Sequence, residues 1–319
     1  MNQRRVGAGV CRGIQAALVL WLAGASGLAG QADTAHGPFL GTVRPELKRL
    51  ITDHRGVVGL SVMDPNTGDM YSVNGDESFP SASIVKLAVM VDVYARVVEG
   101  QLRLNDPLTF LAIDRTGGSG VLQFMDAPLQ ITVWDAVFLM ITLSDNTATN
   151  LLLAKLPPHA VTERMHKLGL PRTRIFVRVN ADPDDSFAPD SARAYGLGMT
   201  TPNEIASLLT MLYRRELVSP EASDAMMAVL RHQFYKEGLP RHLPPGVEVA
   251  HKTGSLAAAR NDCGVVYGPV RPFVICVLTK DNEDRRWTRD NAAERLIGNV
   301  TRVVYDALNP PATTTNGPD

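Results

Sequence analysis

The stretch VEVAHKTGSLAAARNDCGVVYGPVRPFVICVLTK, residues 247–280, contains three consecutive strand-like runs. The last two, NDCGVVY and PFVICVLTK, flank a turn that contains Pro269 and Val270, which predicts a hairpin. If the turn is centred between these two residues, Cys263 and Cys276 lie directly opposite each other, close enough for a disulfide bond. The alternative, a pair of buried free cysteines, stays open.

A second hairpin is predicted near the start of the folded region. The run VVGLSVMDPNTGDMYSVN, residues 57–74, has two strand-like segments around the turn formers Asp64, Pro65, Asn66 and Gly68. The two hairpins together predict a sheet that is assembled from both ends of the chain.

Between the two β regions, the spacing of apolar residues predicts helices. Residues 83–96 carry apolar side chains at helical spacing. Thr132 with Asp135 predicts a capping box, and Thr201 with Glu204 predicts a second one. The helix after Thr201 is expected to bury the stripe Ile205, Leu208, Leu209 and Leu212.

These elements predict an α+β fold, an α/β sandwich with an antiparallel sheet built from both chain ends and an inserted all-helical lobe. We expect a sheet lobe of residues 45–79 and 245–308 and a helical lobe of residues 80–244. Together they form one catalytic domain over residues 33–308, followed by a disordered tail at 309–319. The active site is expected where the helical segment meets the sheet.

The composition is typical of a soluble globular protein. Of the 319 residues, 45% are hydrophobic and 20% are charged, and the formal net charge is −1. These values exclude a collagen-like, disordered or disulfide-dense chain. The near-neutral charge argues against nucleic acid as the main partner.

The N-terminal segment is typical of a secretory signal peptide. Three arginines precede an apolar run over residues 14–28 that ends in small residues. Cleavage is predicted after Ala32, which makes residues 1–32 the leader, and Ala25 is the alternative. A membrane anchor is the other interpretation, but the run is shorter than the roughly 20 residues that span a bilayer. We therefore expect a periplasmic or secreted protein without stable membrane insertion.

Ser83 and Lys86 are a candidate nucleophile and its base. Residues three apart share one face of a helix, and a serine at a helix N-terminus lies in a positive backbone field. The apolar residues 87–90 are expected to desolvate the Lys86 amine and to lower its pKa. Taken alone, the pattern fits a solvated lysine near a helix start equally well.

Ser144, Asp145 and Asn146 form a second polar motif, at the junction between two predicted helices. In this position Ser144 can relay a proton and Asn146 can hold a substrate amide, while Asp145 ties down the loop. The alternative is a serine or aspartate that only caps the next helix.

Lys252, Thr253, Gly254 and Ser255 lie on the first strand-like run of residues 247–280. Strand alternation places Lys252 and Gly254 on one face and Thr253 on the other. A cation and hydroxyl groups beside a glycine suit a substrate carboxylate. The alternative is an edge-strand lysine that prevents aggregation.

The order S-x-x-K, S-D-N and K-T-G resembles the motif set of the penicillin-recognising serine hydrolases, above all the class A β-lactamases. The resemblance covers roughly residues 45–308. It implies four catalytic residues, Ser83, Lys86, Ser144 and Lys252. It implies four substrate-binding residues, Asn146, Thr253, Gly254 and Ser255. It also implies a monomer that needs no cofactor and acts on a small β-lactam or peptidoglycan-like substrate, with an oxyanion hole formed by the N–H groups of Ser83 and Ser255.

One element of the class A pattern is missing, because the chain has no E-x-x-L-N motif. Residues 178–200, where it would fall, contain no glutamate. Asp182, Asp184 and Asp185 are the candidates for a carboxylate that activates the deacylating water, or else they are solvated turn residues. The glycine-rich segment 117–120 predicts a more open site mouth.

The remaining polar residues suggest no further chemistry. The histidines show no metal-ligand spacing, so no metal is expected. Residues 281–290 are expected to begin a solvated helix, from which Arg285 or Arg286 reaches the carboxylate pocket. The sequence thus predicts a serine β-lactamase with an acyl-serine intermediate. The alternatives are a D,D-peptidase or esterase of the same fold, and a non-catalytic binder that acylates without fast deacylation.

Overall fold

The structure is a computed structural model that describes residues 33–35 and 39–311. The predicted leader, residues 1–32, and residues 312–319 of the predicted tail lie outside the described residues. Within the described part of the chain, no helix has both the length and the hydrophobicity of a membrane span.

The described chain contains β-strands, α-helices and short 3₁₀ turns. The strands are β1 (Asp33–Ala35), β2 (Val57–Met63), β3 (Met70–Val73), β4 (Phe79–Pro80), β5 (Pro107–Phe110), β6 (Leu129–Thr132), β7 (Arg174–Ile175), β8 (Gly198–Thr200), β9 (Glu248–Leu256), β10 (Ala259–Tyr267) and β11 (Phe273–Lys280). The α-helices are α1 (Arg44–Thr52), α2 (Lys86–Val98), α3 (Val133–Thr142), α4 (Asn146–Lys155), α5 (Pro158–Lys167), α6 (Pro189–Tyr195), α7 (Pro202–Tyr213), α8 (Pro220–Arg231) and α9 (Ala292–Leu308). Short 3₁₀ turns cover Ala82–Val85, Ala112–Asp114, Leu122–Phe124, Pro183–Asp185 and Leu239–His242.

A six-stranded antiparallel sheet in the order β1-β3-β2-β11-β10-β9 joins strands from both ends of the described chain. Both predicted hairpins are confirmed, as β2–β3 and β10–β11. In the first, the Asp64 carboxylate accepts the N–H groups of Asn66 and Thr67 and so fixes the turn. In the second, Cys263 pairs with Cys276, and a disulfide bond joins them. The α+β fold class is therefore confirmed.

Apolar side chains cover both faces of this sheet. On one face, Val249, Val266 and Ile275 pack with apolar residues of α1 and α9. On the other face, Ala250 and Val265 join the larger core that contains α2, α3, α7 and α8. Strand alternation therefore directs Lys252 and Gly254, which share a face with Ala250, toward the helical region.

The inserted region is mainly helical and also contains two small sheets, β4-β8-β7 and β5-β6. The capping box of Thr132 and Asp135 is confirmed at the start of α3. Thr201 caps α7 as predicted, but the Glu204 carboxylate binds the Thr173 hydroxyl instead of closing a second box. The predicted stripe is buried, at Ile205, Leu208, Leu209 and Leu212.

The prediction of a helix that begins within residues 281–290 is wrong, because these residues form a loop and α9 begins at Ala292. Asn291 caps α9 by accepting the N–H of Ala293. The Asp284 carboxylate accepts the N–H of Ala292 and binds the Arg286 guanidinium. Such local side-chain contacts compete with helix formation.

Candidate active site

Ser83 lies in the 3₁₀ turn before α2, so the regular helix begins three residues later than predicted, at Lys86. The preceding residue, Ala82, has a left-handed backbone with a φ of 46°. The turn is held against the sheet because Asn261 of β10 donates a hydrogen bond to the Ser81 carbonyl. Residues in sparsely populated backbone regions are kept there by such surrounding contacts, often at functional sites.

The Lys86 side chain is fully buried, and its amine points to the loop between α3 and α4. Nζ donates to the Ser144 carbonyl at 2.7 Å and to Asn146 Oδ1 at 2.9 Å, and lies 3.3 Å from Ser144 Oγ. Among the described residues, the Ser83 hydroxyl makes no hydrogen bond, so the expected Ser83–Lys86 contact is not formed in this state. Burial, and secondarily the charge of Lys252, holds the pKa of Lys86 well below its usual value.

Ser144 is presented by a tight loop in which it adopts a left-handed backbone with a φ of 54°. The next residue, Asp145, fixes this loop, as predicted. Its buried carboxylate accepts the N–H groups of Val121 at 2.7 Å, Leu122 at 2.8 Å and Ala148 at 2.9 Å. One carboxylate therefore caps α4 and attaches the segment around residue 121 to the Ser144 loop.

Lys252 reaches the same loop from β9. Its Nζ donates to Ser144 Oγ at 3.1 Å and to the Thr253 carbonyl at 2.7 Å. Burial lowers the pKa of Lys252 to about 7, against the opposing charge of Asp262. The absence of a side chain at Gly254 lets β9 pack onto the Ser83 turn, because a Cβ atom there would lie 3.0 Å from the Ile84 nitrogen.

The predicted site residues converge on one cavity of about 890 Å³. Those that line it are Ser83, Ser144, Asn146, Thr253, Gly254 and Ser255. Lys86 and Lys252 are buried beneath it and reach it through Ser144. The glycine-rich segment contributes Gly117, Gly118 and Ser119 to the cavity wall, without any large side chain.

The segment that follows β7 forms another wall, through Val177, Arg178, Val179, Asn180, Ala181 and Pro183. The three aspartates proposed from the sequence do not line the cavity. Asp182 accepts the N–H of Asp184, whose carboxylate binds Arg193 at 2.7 Å, and none of the three is buried. The short 3₁₀ turn over Pro183–Asp185 explains this, because its carboxylates satisfy local donors.

Sequence reasoning missed several residues of the cavity wall: Tyr235, Glu237, Arg260, Trp287, Arg289 and Glu294. The expectation for Arg285 or Arg286 is wrong, because neither lines the cavity and Arg286 pairs with Asp284 on the surface. The sequence could have indicated Arg260, because this residue lies beside Asn261 on the strand-like run that follows K-T-G. Among the described residues, no cluster of three or more His, Cys, Asp or Glu side chains can hold a metal ion.

A serine turn, a serine-bearing loop and two buried lysines around one cavity define the class of penicillin-recognising serine hydrolases. The beta-lactamase enzyme family matches residues 42–308, so the chain belongs to that family, and its function is of the β-lactamase type at the family level.

Individual relatives agree with this assignment. The β-lactamase CARB-3 of Pseudomonas aeruginosa is 25% identical over 267 residues, which is 82% of this chain and 90% of the relative. The crystal structure of a β-lactamase from Sphaerobacter thermophilus superposes with a TM-score of 0.75 at 31% identity, over 85% of this chain and 99% of that one. A point mutant of PBP-A, solved as an acyl-enzyme complex with penicillin G, superposes with a TM-score of 0.73 at 28% identity. The match covers 84% of this chain and 96% of that one.

Proposed function

We propose that this protein is an exported, monomeric serine β-lactamase that opens the β-lactam amide through an acyl-Ser83 intermediate. The observation that carries the proposal is the convergence of Lys86 and Lys252 on Ser144 Oγ, at 3.3 and 3.1 Å, in the cavity that Ser83 lines. The family membership supports a hydrolase of the β-lactamase type. The roles of the individual residues, the export and the monomeric state are our proposal.

Acylation begins when Ser83 Oγ attacks the lactam carbonyl carbon. The Ser83 proton passes to the Lys86 amine in its neutral form, which burial favours by lowering the pKa of Lys86. The carbonyl carbon–nitrogen bond then breaks, and a proton passes from Lys86 through the Ser144 hydroxyl to the leaving nitrogen. The N–H groups of Ser83 and Ser255 stabilise the oxyanion.

Substrate binding uses the polar groups on the two sides of the serine. The Thr253 and Ser255 hydroxyls bind the substrate carboxylate, with Lys252 supplying the positive charge behind them. Asn146 binds the acylamide with the N–H that remains free, since its Oδ1 accepts from Lys86 and its Nδ2 already donates to the Gly117 carbonyl.

Deacylation requires a water molecule that attacks the ester carbonyl of acyl-Ser83 and loses a proton to a base. The cavity wall formed by residues 177–181 and Pro183 contains no carboxylate. The two carboxylates among the described lining residues, Glu237 and Glu294, lie on other segments, before β9 and in α9. We therefore expect deacylation to be slower than acylation.

A protein that stays acylated is the second candidate function, and the same wall without a carboxylate favours it. The PBP-A mutant that this fold resembles was captured as an acyl-enzyme with penicillin G. A D,D-peptidase or esterase would use the same serine and lysines with a different leaving group.

Two measurements on one protein separate a β-lactamase from a protein that stays acylated. Intact-mass spectrometry after mixing with benzylpenicillin should show one penicilloyl adduct, which is absent in Ser83→Ala, and its decay gives the deacylation rate. Hydrolysis of a chromogenic cephalosporin should show repeated turnover in the wild type and none in Ser83→Ala. An adduct that never forms on Ser83 would refute the proposal, and one that persists for hours would assign the protein to the second function.

A further inference from the structure

The cavity continues beyond the K-T-G strand into an outer part that the steps above do not use. This outer part is lined by Leu256 at the end of β9, Arg260 of β10, Trp287 and Arg289 of the loop before α9, and Glu294 of α9. The Trp287 indole is 69% exposed, whereas the Glu294 side chain is only 18% exposed.

The Glu294 carboxylate lacks the partners that a mostly buried acid normally has. It accepts no hydrogen bond from any residue within 33–35 or 39–311, and its cation partner, Arg260 Nε, is 3.7 Å away. The Arg260 amino groups are already used, because they donate to the Ala259 carbonyl at 2.8 Å, the Arg286 carbonyl at 2.9 Å and the Leu256 carbonyl. The Glu294 carboxylate therefore keeps acceptor positions that no donor of the described residues fills.

The other carboxylate of the cavity wall provides a contrast. Glu237 lies 3.3 Å from the Arg289 guanidinium, and its second oxygen accepts the N–H of Lys236. Of these two acids, Glu237 has a hydrogen bond and a closer cation, whereas Glu294 has, among the described residues, only its ion pair at 3.7 Å.

We propose that Glu294 is a specificity subsite for a protonated amine, or another cationic N–H group, on the substrate. The assignment rests on the proposed function, in which Thr253 and Ser255 hold the carboxylate. In a cephalosporin the C3 substituent is attached to the carbon next to the one that bears this carboxylate, so it extends past Ser255 toward the outer part. An ammonium group there meets the Glu294 acceptors. The Trp287 ring contributes apolar wall only, because the Arg260 guanidinium already lies over it, 4.3 Å from the ring centroid.

The charges around Glu294 make this preference dependent on pH. Burial raises the pKa of Glu294 to about 7, the charges of Asp262 and Glu237 act in the same direction, and Arg260 and Arg241 oppose them. The carboxylate is therefore mostly neutral below pH 7 and mostly ionised above it. An ammonium probe should gain over a neutral probe as the pH rises through this value.

The test uses two cephalosporins with one acyl side chain that differ only at C3. One carries a protonated aminoethylthiomethyl group and the other its N-acetyl derivative. The measured quantity is the ratio of their second-order rate constants for acylation of Ser83 at pH 8. Because both probes use the same nucleophile and base, the ratio cancels changes in the acylation machinery.

We expect Glu294→Gln to lower this ratio about fivefold, as for the loss of one partly exposed ion pair. The matched control Glu283→Gln, which removes an exposed carboxylate that does not line the cavity, should keep the wild-type ratio. In the wild type the ratio should increase between about pH 6 and pH 8, which tests the subsite without any mutation. A ratio that is unchanged in Glu294→Gln, or independent of pH in the wild type, overturns the subsite while acylation itself remains. Failure of both probes to acylate Ser83 refutes the proposed function instead.

Discussion

Replacement of Asp145 by alanine should destabilise the protein strongly, because one buried carboxylate holds two segments of the active site together. The change removes the acceptor of three backbone N–H groups, those of Val121, Leu122 and Ala148. A hydrogen bond to a charged group contributes about 1.5 kcal/mol or more, so the loss of three amounts to about 4.5 kcal/mol. Typical proteins have only about 5 to 15 kcal/mol of net stability.

The assay is thermal unfolding followed by circular dichroism, together with acylation of Ser83 well below the melting temperature. A loss of about 4.5 kcal/mol should lower the Tm by about 10 °C in a domain of this size. Acylation should also slow, because Ser144 and Asn146 flank the lost anchor. The matched control is Asp135→Ala at the start of α3. The Asp135 carboxylate binds only the N–H and the hydroxyl of Thr132, so we expect a loss of stability of about 1 kcal/mol. A Tm of Asp145→Ala within about 2 °C of the control would refute the reasoning.

Three further predictions follow from the lysine pair, the loop wall and the disulfide. Burial lowers the pKa of Lys252 to about 7, so its positive charge is lost as the pH rises through this value. The rate constant for acylation by an anionic β-lactam should then fall between about pH 6 and pH 8, and a flat profile would contradict a cationic role for Lys252. Val179→Glu introduces a carboxylate on the cavity wall and should shorten the acyl-enzyme lifetime about 100-fold in a mass-spectrometric time course, whereas Val179→Gln should not. Cys263→Ala with Cys276→Ala removes a crosslink with a sequence separation of 13 and should cost about 3 kcal/mol in urea unfolding; equal stability with and without the bond would contradict this.

Features that depend on neighbouring residues were predicted well from the sequence. The capping box of Thr132 and Asp135 is such a case, because both partners lie within one helical turn. The Cys263–Cys276 register is another, since a tight turn fixes which residues of a hairpin face each other. For the same reason, the buried stripe of α7 follows directly from helical periodicity.

Features that depend on the tertiary environment were not predictable in the same way. Arg285, Arg286 and Arg260 all follow the K-T-G motif, but only Arg260 points into the cavity, because its position on β10 directs it there. Asp184 was a plausible catalytic carboxylate until the structure showed Arg193 as its partner, nine residues away across the loop. Residues 281–290 have a composition that suits a helix, but the contacts of Asp284 with Ala292 and Arg286 hold them as a loop.

The two buried lysines impose an electrostatic constraint that supports the division of roles proposed for them. Both amines contact Ser144 Oγ, so two positive charges would lie close together without solvent. Burial lowers the pKa of both, and each has a carboxylate that opposes this effect, Asp145 for Lys86 and Asp262 for Lys252. The difference is the charge of Lys252, which lowers the pKa of Lys86 as well. The favoured state therefore has a neutral Lys86 beside a charged Lys252. A serine hydrolase that binds an anionic substrate needs a base and a cation in these two places, and opposed environments are how proteins separate such titrations. Asp262 lies on β10, opposite Thr253 of β9, so the pairing of these two strands places the carboxylate that supports the charge of Lys252.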